Sequence, residues 1–136
     1  TMPYRPTDWE SEQTEALNRD LAQRRWPKLK VKMVEHDDEP TAILSIDHPD
    51  PTTGGSLLCQ SLGTTSTEFV DAAISDLIVI TRKGGAPNPE GLNAALAFVQ
   101  GIAPKDEIET TLATQMAAVH RAMMRCAELM PRVELV

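Results

Sequence analysis

The alternation of apolar and polar positions along the 136 residues predicts helices separated by prolines. None of the ten prolines interrupts a helical pattern, so the intervals between them mark the elements. We expect helices over about 8–25, 67–83, 89–102 and 105–130, the last being the longest. Residues 56–62, which lie between glycines, are expected to form at best a short helix.

One region follows the period of a strand instead. Residues 29–33 alternate apolar and basic side chains, and residues 41–46 are β-branched and apolar, with a polar turn between the two runs. This pattern predicts a β-hairpin, which has to pack on helices because a lone hairpin is only marginally stable. The predicted fold is therefore mainly α: a small bundle of three core helices, the last one long, with an N-terminal helix and one β-hairpin.

The length of the chain suits one domain, so we expect residues 1–136 to form a single domain. Within it, the first helix has a narrow apolar stripe made of Trp9, Ala16, Leu17 and Leu21. A narrow stripe buries little surface. Residues 1–28 are therefore expected to form an N-terminal helix that docks loosely.

The longest predicted helix carries a heptad pattern of apolar residues. These residues, spaced 4, 3, 4, 3 and 4 positions apart, are Leu112, Met116, Val119, Met123, Cys126 and Met130. Such a stripe forms either the core of a helical bundle, which is the commoner arrangement, or a contact between chains. At 1.5 Å per residue this helix would be about 39 Å long and its neighbour over 89–102 only about 21 Å, so the neighbour cannot cover it.

The far end of the helix must therefore be covered by the N-terminal segment or by another chain. Methionine side chains suit an adaptable apolar contact. We expect a homo-oligomer, most simply a dimer, or a complex with another protein. The predicted partner-binding residues are Met116, Val119, Met123, Cys126 and Met130.

Charge argues against a general nucleic-acid or membrane binder. There are 13 Lys and Arg against 20 Asp and Glu, a net charge of -7, whereas binding to phosphates needs clustered basic residues. The one basic cluster surrounds Trp26 and consists of Arg24, Arg25, Lys28, Lys30 and Lys32. It could contact phosphates, but lysines also protect an exposed strand edge from aggregation, and the negative total charge favours that role.

Candidate chemistry is sparse. His48 with Asp47 and Asp50 resembles a fragment of a metal or acid–base site, but the neighbouring prolines fit a turn, and no second histidine stands at helical spacing. No phosphate-binding loop, nucleophile elbow or zinc-protease motif is present. We therefore expect no enzymatic activity, no metal and no cofactor.

The cysteines and the lack of a long apolar run indicate a location. Cys59 and Cys126 stand far apart in sequence without a CxxC pattern, which favours reduced thiols. No run approaches the roughly 20 apolar residues of a membrane span, and the start lacks the pattern of a signal peptide. A cytoplasmic protein with no membrane contact is expected.

A set of short segments carries a family resemblance. These segments are 47–51, 62–64, 91–93, 101–102, 104–106, 112–113 and 115–120, of which Pro104-Lys105-Asp106 is the most specific. Through them the region from about 47 to 130 resembles a family of uncharacterised bacterial proteins that are often found with prophage or other mobile DNA. The resemblance implies a bacterial cytoplasmic protein and carries over no activity, cofactor or catalytic residue.

Together these observations favour a non-enzymatic helical module for self-association or protein interaction. Two alternatives from other classes stay open. One is a nucleic-acid-linked regulatory or packaging accessory protein that uses the basic segment 24–32, and the other is a small metal-dependent hydrolase centred on His48.

Overall fold

The described part of the chain consists of five helices and one β-hairpin. A computed structural model describes residues 8–22 and 26–131, and it describes side chains for residues 10–19 and 26–131. In chain order the elements are α1 (Asp8–Ala22), β1 (Lys28–His36), β2 (Glu39–Asp47), α2 (Pro51–Ser61), α3 (Thr67–Thr81), α4 (Pro89–Ile102) and α5 (Glu107–Leu129). The predicted fold class, mainly α with a single two-stranded antiparallel hairpin, is confirmed.

Side-chain caps decide where four of the helices begin. In each case a polar side chain accepts a hydrogen bond from a backbone amide of the first turn, which otherwise has no partner within the helix. The caps are Asp50 for α2, Ser66 for α3, Asn88 for α4 and Asp106 for α5. Proline at the first position of α2 and of α4 adds a backbone angle that already suits a helix.

Helix α2 is longer than the sequence predicted. The expected short helix over 56–62 is replaced by 11 residues that begin at Pro51, because Asp50 caps this helix and two glycines lie inside it rather than in a loop. Gly54 is buried beside the preceding turn: a Cβ there would lie 2.7 Å from Cβ of His48. The lack of a side chain therefore lets the helix start pack directly against residues 46–48.

The core lies where α2, α3, α4 and α5 meet. The three helices predicted to form it do pack together, and α2 adds leucines that the prediction left out. The largest fully buried apolar side chains are Leu57, Leu62, Leu77, Leu92, Leu96 and Val99. Helix α1 contacts α2, and the remainder of the helix predicted over 8–25 lies outside the described residues.

The hairpin is fixed to the helices by its base. Strand β1 pairs antiparallel with β2 from Lys28 opposite Asp47 to His36 opposite Glu39. Leu29, near the base, is buried, and its backbone is held by the side chain of Asn93 in α4. The Asn93 Oδ1 accepts from the Leu29 amide at 2.9 Å, and its Nδ2 donates to the Leu29 carbonyl oxygen at 2.9 Å. The Asn93 side chain thus forms the two hydrogen bonds with Leu29 that a neighbouring strand would otherwise form.

Two turns meet at the start of α5. Gly63, after α2, has a φ of +61°, and a Cβ there would lie 2.6 Å from the carbonyl oxygen of Pro104. The Thr110 hydroxyl donates to the Leu62 carbonyl oxygen at 2.6 Å, and the Thr64 hydroxyl donates to Glu107 at 2.9 Å. These contacts fix the direction in which α5 leaves the core.

Candidate interaction surface

Helix α5 packs on the core through small side chains. Its buried residues are Thr110, Ala113 and Ala117, which share one face and lie against α3 and α4. Small side chains at these positions let the helix approach its neighbours closely. The larger apolar residues of α5 therefore do not point into the core.

The predicted heptad residues lie on the opposite face and are exposed. Leu112, Met116, Val119, Met123 and Met130 are 54–70% exposed, and Cys126 is exposed as well. We call these six residues the seam. The interpretation of this stripe as the core of a bundle is wrong for a single copy, because the core contacts of α5 are on its other side. Ile108 and Leu129, which are also exposed, widen the apolar surface.

The second half of α5 extends past the helices that support it. At 1.5 Å per residue its 23 residues span about 35 Å, compared with about 21 Å for the 14 residues of α4. Every side chain over 122–130 is exposed. We call this segment the overhang. It carries apolar side chains that no described part of the chain covers, Met123, Met124 and Leu129 among them.

The His48 cluster is engaged in local structure. The His48 Nδ1 accepts from the Asp50 amide at 3.0 Å. Asp50 caps α2, accepting from the Thr53 hydroxyl at 2.6 Å and from the Thr52 amide at 3.2 Å. The hydrogen bond from Thr53 is the main cause that lowers the pKa of Asp50 below its usual value. The arrangement is a turn that starts a helix.

Asp47, the third member of that cluster, points elsewhere. Its carboxylate lies 3.1 Å from Nζ of Lys30, across the hairpin. Within 8–22 and 26–131, no group of three or more His, Cys, Asp or Glu side chains is placed to hold a metal ion. His48, Asp47 and Asp50 do line one cavity beside α1, but Asp50 is engaged as the cap of α2 and Asp47 in the ion pair with Lys30.

The basic cluster is only partly brought together. Lys28, Lys30 and Lys32 are exposed and alternate along β1, so they share its outer face. Asp47 lies opposite Lys28 and forms its ion pair with Lys30, which places a carboxylate within the row. Arg24 and Arg25 lie outside the described residues.

A second group of basic residues was not predicted as a site. Arg82 and Lys83, after α3, line one cavity with Arg121 and Arg125 of α5. The two pairs stand about 40 residues apart in sequence, so no local motif joins them. The four-residue spacing of Arg121 and Arg125 does place them on neighbouring parts of one helix face, which is the only signal that the sequence offers.

No protein-family model, curated protein or solved structure matches this chain. The resemblance to mobile-element proteins stays a prediction.

Over the described residues, no helix has both the length and the apolar character that crossing a bilayer requires. Cys59 is half-buried, Cys126 is exposed, and both are free thiols.

Proposed function

We propose that the protein is a non-enzymatic helical module that self-associates through the seam of α5. The observation that carries this proposal is the position of the seam, on the face of α5 opposite the core and continuing along the overhang. Contiguous exposed apolar surface of this kind is typical of protein-binding sites. The structural use of Asp47 and Asp50 supports the non-enzymatic part. A bacterial, cytoplasmic protein related to mobile DNA is proposed from the resemblance over 47–130.

A second copy of the chain, running in the opposite direction, is the partner that fits the seam best. The nine residues of the overhang, 122–130, match in length the nine residues 112–120, whose other face is supported by the core. An antiparallel pair places each overhang on the supported half of the other copy. In this register the facing pairs are Met130 with Leu112, Cys126 with Met116, and Met123 with Val119.

Charge and dipole also favour the antiparallel arrangement. In a parallel pair the heptad pattern continues to Glu109, so the Glu109 side chains of the two copies would face each other. Asp106 and Glu107 of both copies would gather at the same end. Reversing one helix separates these carboxylates and sets the two helix dipoles in opposite directions. A parallel pair would in addition place one unsupported overhang against the other.

The exposed apolar surface is large enough for a weak to moderate dimer. Burying a side chain of this type removes roughly 60–120 Å² of apolar surface, and eight such side chains are about two-thirds exposed on the seam and its flanks. This corresponds to roughly 500 Å² per copy, or about 1,000 Å² for the pair, at the lower bound of specific interfaces. The pairing should therefore depend on concentration.

Oxidative cross-linking of cysteine variants tests both the self-association and its direction. All variants carry Cys59→Ala, which removes the half-buried thiol. In the antiparallel register Cys126 faces Met116 of the other copy, while the two Cys126 residues stand ten residues, or about 15 Å, apart. A disulfide needs Cα atoms within about 7 Å. Cys126 alone should therefore leave monomers on a denaturing gel, and Met116→Cys with Cys126 should give cross-linked dimers.

Two further outcomes distinguish self-association itself from the antiparallel direction of the pairing. Met116→Cys with Cys126→Ala should lose the cross-link, because the antiparallel pair needs one cysteine of each kind. If this variant and the one that keeps only Cys126 each give a cross-linked dimer, the pair is parallel, so self-association stands while the proposed direction is wrong. If no variant cross-links and light scattering finds a single chain at about 100 μM, self-association through the seam is wrong.

A further inference from the structure

A cavity of about 590 Å³ lies between the turn that follows α3 and the second half of α5. Four basic side chains line it: Arg82 and Lys83 from the turn, Arg121 and Arg125 from α5. Glu128 is the one carboxylate among the described residues that line it. A chain with a net charge of -7 thus concentrates positive charge in one place.

Within the part of the chain that the structure describes, these basic groups have no acidic partners. Among the described residues, the ion pairs are Lys30 with Asp47 and His36 with Asp37, so none of the four takes part in one. Arg121 is half-buried. Its guanidinium lies against the start of α4, where a Cβ on Gly91 would be 2.9 Å from Nη2. A partly buried guanidinium without an anion forgoes the charge-assisted hydrogen bonds that its planar fork is able to form.

We propose that this cavity binds a small ligand that carries phosphate, of about the size of a nucleotide. Three guanidinium groups and one ammonium match the oxygens of a phosphate or diphosphate. The remaining wall includes Ile80, Met124 and Leu129, which supply an apolar surface for a ring. The volume lies within the range typical of small-molecule sites. A long polyanion is disfavoured, because the acidic remainder of the surface repels it.

The cavity is separate from the six residues of the seam, although Leu129, which flanks the seam, also lines the cavity. The cavity lies on the side of α5 that faces the turn after α3, whereas the seam lies on the opposite side. The turn itself is tight: the Lys83 amide donates to the Ala86 carbonyl oxygen at 2.9 Å, and Gly84 and Gly85 have φ values of +61° and +78°. A ligand between this turn and Arg125 bridges the body of the protein to the overhang.

Isothermal titration calorimetry with pyrophosphate and with adenosine monophosphate tests the proposal. The wild type should bind at least one probe with a Kd below about 1 mM in low salt. Arg121→Gln and Arg125→Gln should each weaken binding about tenfold or more, since each removes a charge-assisted contact. Lys32→Gln is the matched control: it makes the same change in net charge on the exposed face of β1, and should change the Kd less than about twofold.

Circular dichroism checks that each variant is folded. If Arg121→Gln does not fold, Arg82→Gln takes its place, because Arg82 is at an exposed position. The proposal is overturned if neither probe binds at about 10 mM, or if Lys32→Gln weakens binding as much as the arginine variants do. It is also overturned if a single-stranded oligonucleotide binds more tightly than the mononucleotide and loses binding in the same arginine variants. That result would assign the cavity to nucleic acid.

Discussion

Met123→Glu is the substitution that best distinguishes a contact surface from a core. Met123 is 65% exposed in the single copy. Replacing an exposed side chain usually changes the free energy of unfolding by no more than about 0.5 kcal/mol. The variant should therefore keep the helix content and the stability of one chain. In the antiparallel dimer, by contrast, the same side chain lies at the centre of the interface.

The effect on the dimer follows from the surface that Met123 would bury. Full burial of a Met side chain is worth about 1.5–3 kcal/mol, and about two-thirds of that surface is free to be buried by a partner. Each dimer contains the residue twice, so the loss is about 2–4 kcal/mol, which is roughly 30- to 1,000-fold in the dissociation constant. Two carboxylates placed in an apolar contact add to this loss. We expect at least about a 100-fold weaker dimer.

Sedimentation velocity measures how strongly Met123→Glu and Met124→Glu associate, and circular dichroism measures their helix content. Met124 is the matched control, because it is the same residue type at the next position, is 52% exposed, and lines the basic cavity rather than the seam. Met124→Glu should form the dimer as the wild type does. Met123 does not lie in a contact between chains if Met123→Glu associates normally, if both variants lose association equally, or if Met123→Glu loses its helical signal.

Three further predictions concern the fold. Asn93→Ala should lower the free energy of unfolding by about 1–3 kcal/mol, because both backbone groups of Leu29 lose their partner; a change below about 0.5 kcal/mol in urea denaturation would contradict this. The pKa of Asp50 is lowered in the folded state. The stabilisation that the ionised Asp50 carboxylate gives to the folded chain is therefore complete above the ordinary pKa near 3.8, and it is lost as the pH falls through the lower pKa of the folded state. Asp50→Ala should therefore flatten the loss of stability below about pH 4, and an unchanged pH dependence would show that the cap does not contribute. Leu77→Ala should cost about 2–5 kcal/mol, against less than about 0.5 kcal/mol for Val79→Ala on the exposed side of the same helix, and similar losses for the two would contradict the packing of α3.

Local signals in the sequence predict much of the fold. Helix α4 begins and ends where it was predicted, since Asn88 followed by Pro89 is a clear start signal. Helix α2 was largely missed because Gly54 and Gly55 indicated a loop. The close approach of Gly54 to His48, which makes glycine suitable there, is a contact between residues six apart that periodicity does not show.

The candidate surface shows a different limit of sequence reasoning. The spacing identified the seam, but it could not show which face of α5 meets the core. The structure buries Thr110, Ala113 and Ala117 and leaves the methionines outside. Small residues carry little weight in a hydrophobic pattern, although they allow the closest helix packing.

Several segments on which the predicted resemblance rests hold the fold together. Gly63 meets Pro104, Asn93 holds Leu29, and Asp50 caps α2. These roles are structural, so the resemblance itself does not indicate a chemical function. The basic cavity depends on residues about 40 positions apart, and only the packing of α5 beside the turn after α3 brings them together.

The most direct test of self-association is sedimentation equilibrium of the unmodified protein from about 1 to 100 μM. A chain that pairs through the seam should show a mass that rises with concentration from the 14.9 kDa of one chain toward twice that value. A mass of 14.9 kDa at every concentration would contradict it.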